Sequence, residues 1–81
     1  MSEEKPQTLK QCVNEALEDY LKQVDQEHIS DLYNMVLAEV EAPMLAVVMK
    51  HARSNQSRAA TMLGLNRGTL RKKLRQYQLL D

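Results

Sequence analysis

The chain contains no tryptophan and no phenylalanine; its aromatic residues are Tyr20, Tyr33 and Tyr77. Aliphatic residues and five methionines must therefore supply any packed interior. Two glycines and two prolines are too few for a turn-rich β fold, which relies on both for special backbone angles. Cys12 stands alone, which excludes an intrachain disulfide and favours a cytoplasmic compartment. A bridge between two chains is the one disulfide open to it. The longest apolar run, Met44 to Met49, is far too short to cross a bilayer, so no membrane partner is expected. The opening residues, Met1 to Gln7, are polar and acidic and do not form a signal peptide.

Catalytic and metal-binding patterns are missing too. There is no P-loop, no nucleophile–base motif and no carboxylate pair in an apolar setting. His28 and His51 lie 23 residues apart with one distant cysteine, which is no metal-ligand spacing. No enzyme activity, metal or cofactor is expected. At 81 residues the chain has room for one domain, and a single core of that size is marginal.

What is present favours helices. Leu, Ala, Glu, Gln, Lys and Met dominate, and these side chains lose little freedom in a helix. The expected class is all-α. Net charge is zero, but its distribution is lopsided. Residues 1–40 hold nine acids against three bases; residues 41–81 hold eight bases against two acids. No acid lies between Lys50 and Leu80. That asymmetry points to a polyanionic partner for the C-terminal part, although a solvated basic face would look the same on charge alone.

Periodicity divides the chain into a tail over residues 1–8, helices for dimerisation over 9–53 and a helix-turn-helix region over 54–81. The tail has no apolar period and reads as disordered. Thr8 can cap a helix over about 9–24, in which Leu9, Val13, Ala16, Leu17, Tyr20, Leu21 and Val24 recur at three- and four-residue spacing. Its other face carries Glu15, Glu18, Asp19 and Lys22. Asp25 to Ile29 read as a connection. Ser30 is the expected cap of a second helix reaching about Ala52, with a kink at Pro43. Leu32, Tyr33, Met35, Val36, Leu37, Val40, Met44, Leu45, Val47, Val48 and Met49 surround nearly the whole of that helix. A helix apolar all round must be covered on all sides, and two copies of the first two helices could do so as a four-helix unit. An intertwined homodimer is the expected assembly.

The segment from Asn55 to Tyr77 is the most informative. Asn55 caps a short helix whose Ala59 and Ala60 permit a close crossing. Gly64 supplies a left-handed turn, Leu65 packs inward and Asn66 caps the last helix. These are the parts of a helix-turn-helix. Leu70, Leu74 and Tyr77 form the inward stripe of the last helix. Asn66, Arg67 and Thr69 stand at its N-terminal end, which in such motifs meets base edges. Arginine matches guanine O6 and N7 with two bonds at once. Lys72, Lys73 and Arg75 suit phosphates. Gly68 removes a side chain where backbone could approach the duplex.

Asn55 to Tyr77, with its Asn66-Arg-Gly-Thr-Leu-Arg-Lys-Lys-Leu run, resembles the C-terminal helix-turn-helix of the Fis family (factor for inversion stimulation). The same module ends the NtrC-type activators. The resemblance extends upstream through Val36-Leu-Ala-Glu-Val-Glu-Ala-Pro-Met-Leu and Asp31-Leu-Tyr to Leu9, which favours Fis. It implies an all-α homodimer with four helices per subunit and a proline-kinked second helix. It also implies a bacterial, nucleoid-associated regulator of transcription that binds and bends double-stranded DNA at degenerate sites. Asn66 and Arg67 would touch bases. Asn55, Gln56, Ser57, Thr69, Arg71, Lys72 and Lys73 would hold phosphates, and Arg53 would reach flanking DNA. Four departures stand out. About eight residues precede the first helix, too few for the family's recombinase-contacting arm, so contact with a recombinase is not expected. Ser54 and Gln78 stand where the family often has glycine, and Gln76 where it often has lysine. Two other readings fit the pattern less well. One is a helical interaction module that docks on a protein bound to RNA polymerase or on a replication protein, its DNA contact incidental. The other is an architectural DNA coater with little sequence preference.

Overall fold

The computed structural model describes residues 7–80. Among them the chain forms α1 (Leu9–Gln23), a short 3-10 turn (Gln26–His28), α2 (Leu32–His51), α3 (Gln56–Leu63) and α4 (Arg67–Gln76), with no strand. The expected all-α class and the four helices are what folds. The helices fall into two compact units that divide between Ser30 and Asp31.

The first unit is built around α1. Thr8 Oγ1 accepts the Gln11 N–H at 3.1 Å, and Gln11 Oε1 accepts the Thr8 N–H at 2.9 Å. This reciprocal box satisfies two backbone donors that the helix itself leaves free. Gln7 donates to Glu15 Oε2 at 2.8 Å. The expected disordered tail otherwise falls on residues outside the described range. Glu15, Glu18 and Asp19 are exposed, as expected of a solvated face. The expected connection contains the 3-10 turn, which Asp25 caps by accepting the Glu27 N–H at 3.1 Å.

In the second unit, the start of α2 corrects one expectation. Asp31, not Ser30, is the capping residue, and it makes no side-chain bond to the helix backbone. Its φ of −137° and ψ of 40° lie away from the extended conformation of a good cap, and its Oδ1 accepts from Asn34 Nδ2 at 3.0 Å instead. Pro43 sits inside α2 and deprives the Glu39 carbonyl of its N–H partner. By length and composition alone α2 could cross a bilayer. Asn34, Glu39 and Glu41 break its apolar residues into short runs. One flank of α2 is nonetheless packed on protein, as the core shows.

That core is made of Leu45 and Ala52 from α2 and its end, Ala59 and Ala60 from α3, and Leu70 and Leu74 from α4, all buried. Val48, Met49, Leu63, Tyr77 and Leu80 pack around it. The inward stripe expected of α4 is therefore in place, and the second half of α2 is a full member of the helix-turn-helix core. Ala59 and Ala60 keep the approach between helices close.

All three helices of this unit end alike. The Ser54 N–H reaches the Met49 carbonyl at 2.9 Å, the Leu65 N–H reaches Ala60 at 2.9 Å, and the Leu79 N–H reaches Leu74 at 2.8 Å. Each bond spans five residues and closes over a left-handed residue, the Schellman geometry. Those residues are Arg53 (φ 55°), Gly64 (φ 74°) and Gln78 (φ 59°), and Ser54 (φ 64°) follows Arg53 into the same region. Gly64 alone adopts it without a steric cost.

Candidate nucleic-acid interface

Asn55 and Asn66 start the two helices of the motif. Asn55 Oδ1 accepts the Arg58 N–H at 3.1 Å, and Asn66 Oδ1 accepts the Gly68 N–H at 2.7 Å. Each short amide satisfies a donor of the first turn, which is why asparagine suits both places. The second bond also gives Gly68 a role that the pattern did not reveal. A Cβ there would stand 3.1 Å from Asn66 Oδ1 and crowd the cap. Asn66 is exposed, so its Nδ2 remains able to donate outward while its oxygen caps.

Arg71 Nη1 donates to Gln56 Oε1 at 3.4 Å, tying α4 to the start of α3 across fifteen residues of chain. This bond brings together two groups of expected contacts, Asn55, Gln56 and Ser57 at one helix start and Thr69, Arg71 and Lys72 on the other helix. Arg53, Asn55, Ser57, Arg67, Thr69, Arg71 and Lys72 are exposed, and Gln56 is half-buried. Arg58 and Arg75 add exposed cations beside them. No acid lies between Lys50 and Leu80, so the local field is positive. The asparagine caps take one N–H at each helix start, and the other first-turn N–H groups attract anions.

Lys73 is placed differently. Its Nζ lies 3.1 Å from Glu41 Oε2 on α2, and the two side chains retain 31% and 22% of their exposure. Tyr77 donates its hydroxyl to Glu41 Oε1 at 2.5 Å. The Tyr77 bond, then the Lys73 bond, hold the Glu41 carboxyl below its usual value, while partial burial opposes them. Donation to Glu41 raises the Tyr77 phenol above its usual value. Glu41 was not singled out in the sequence. Its signal was that of the last acid before a basic region, on a strongly apolar helix.

Among the described residues, no group of three or more His, Cys, Asp or Glu could hold a metal ion. His51 ends α2 and is exposed.

Comparison with known proteins places this arrangement. The profile of the family described as "Bacterial regulatory protein, Fis family" matches residues 36–77, just over half of the chain. A protein named DNA-binding protein Fis, from Histophilus somni (strain 2336), is 59% identical over 69 residues, covering 85% of this chain and 70% of that protein. Proteins of the same name from Pasteurella multocida (strain Pm70) and Aeromonas salmonicida (strain A449) are 59% and 58% identical, with the same coverage.

Proposed function

The chain belongs to the Fis family of bacterial regulatory proteins, and on that premise we propose that it binds double-stranded DNA as a homodimer and bends it. It is a DNA-binding regulator and not an enzyme. Asn66 and Arg67 read bases from the start of α4. Asn55, Gln56, Ser57, Thr69, Arg71 and Lys72 hold phosphates, and Arg53 reaches the flanks. The observation that carries this reading is the Arg71–Gln56 bond, which ties the exposed cationic face of α4, at its middle, to the start of α3. Phosphate contacts set register, and base edges at the α4 start set preference.

The homodimer reading is supported by what a single chain leaves uncovered. On α2, Leu45 alone is fully buried, while Tyr33, Leu37, Val40, Met44 and Val47 remain exposed. On α1 no residue is buried. Apolar surface on this scale seeks cover, and a second copy of this chain presents the same apolar surface for an isologous pairing. Two linked reading helices then engage one duplex, and sequence is read largely through how readily the DNA deforms. Such a protein works in the cytoplasm on the nucleoid, with tolerance for varied sites.

The test is binding-site selection from a pool of random duplexes, with bend angles measured on the retained fraction. Strong bending with a loose consensus is expected. A pool from which no duplex is retained would overturn the reading. Sedimentation equilibrium should give twice the chain mass at micromolar concentration, and a monomer mass would remove the dimer.

A further inference from the structure

Lys73 occupies a position where the family resemblance put a phosphate contact, yet its ammonium turns toward α2. It follows Leu70 by three residues and precedes Tyr77 by four, so it lies on the inward flank of α4. Lys72, its neighbour, is exposed, whereas Lys73 is half-buried against Glu41. Glu41 is fixed in turn by the Tyr77 hydroxyl. Its two oxygens are thus divided between Lys73, in the C-terminal half of α4, and Tyr77, which caps that end of the helix.

We propose that Glu41 acts as an internal counter-charge that withholds Lys73 from the phosphates and pins the C-terminal half of α4 to α2. The proposal rests on the DNA-binding reading above. Its consequence is selectivity. A lysine on a phosphate adds affinity for every sequence alike, while the bases are read elsewhere, at the start of α4. Withholding one such cation in each subunit trims sequence-blind binding and leaves base contacts untouched. Glu41 is therefore a positioning residue that sets the ratio of specific to non-specific binding without touching DNA.

The salt dependence of binding reads this directly, because each phosphate contact contributes about 0.9 to the slope of log affinity against log salt. Fluorescence anisotropy with the full chain and a mixed-sequence duplex would be run over a salt series. Glu41→Gln keeps the shape and can still accept from Tyr77, but it releases the ammonium. Its slope should steepen by about 0.9 for each subunit, with tighter binding to mixed-sequence DNA at low salt. Lys73→Gln should keep the wild-type slope, whereas Lys72→Gln should flatten it by about 0.9 for each subunit. A folded Glu41→Gln protein with the wild-type slope would overturn the proposal. So would a Lys73→Gln slope that flattens as Lys72→Gln does, which remains decisive should Glu41→Gln fail to fold. Failure of the underlying reading looks different: the wild type itself would show no salt-dependent duplex binding.

Discussion

Asn66 and Gly68 define each other's place: the amide oxygen of the first caps the N–H of the second at 2.7 Å, and any side chain on the second would crowd that oxygen. The start of α4 is thus closed by a side chain of its own segment. The cap and the proposed base-reading group share one residue, and substitution can separate the two roles.

Asn66→Ala should lower stability by about 1 kcal/mol through loss of the cap. Asn66→Asp should melt at or near the wild-type temperature, since aspartate caps equally well and suits the positive helix start. Its duplex affinity should fall sharply, because a carboxylate would face the polyanion. Thermal melts paired with anisotropy titrations check both halves. Equal duplex affinity for Asn66→Asp and wild type would exclude Asn66 from the interface.

Arg67→Ala should weaken binding to a selected site by about 1–3 kcal/mol and flatten the preference among single-base variants of that site. Competition titrations over the variant panel measure this. A uniform loss across the panel would move Arg67 from base reading to phosphate contact.

Ser54 holds a φ of 64°. A side chain in that region costs about 1–2 kcal/mol, partly offset by the freedom glycine gives the unfolded chain. Ser54→Gly should therefore raise stability by about 0.5–1 kcal/mol. The urea midpoint should rise with no change in the slope of the transition. A lower midpoint would show that the serine hydroxyl contributes more than its backbone angle costs.

The Glu41–Tyr77 bond carries a pH signature. The Glu41 carboxyl sits below its usual value of 4.5, so folding favours the carboxylate. That stabilisation is complete above 4.5 and fades as pH falls through the lowered value. The Tyr77 phenol sits above its usual 10.0, so its contribution is complete below 10.0 and fades as pH rises through the raised value. The melting-temperature gap between wild type and Glu41→Gln should stay flat from mildly acid to mildly alkaline pH and narrow on the acid side. A gap that widened in acid would reverse the sign of the argument.

Much of the helix-turn-helix was legible because its determinants are local. Asn55, Gly64 and Asn66 mark boundaries through bonds of two to five residues, and Leu70, Leu74 and Tyr77 repeat at helical spacing. The cap of α2 was misread between Ser30 and Asp31, adjacent residues of equal capping aptitude, because backbone angle decided between them. The left-handed pair Arg53–Ser54 carries no glycine to announce it. The partner of Lys73 lay furthest out of reach. Glu41 is 32 residues away, and only the packing of α4 on α2 brings the two together.

One helix serves two ends of this molecule. The second half of α2 is embedded in the helix-turn-helix core, and its remaining apolar flank is the seam proposed for a second copy. No flexible tether then stands between the place where protomers meet and the place where each grips its ligand. In the proposed dimer the gap between two grips would be the fixed opening of a caliper, set by the rise of a single helix. On that proposal, a duplex whose grooves do not match the opening would itself have to give way.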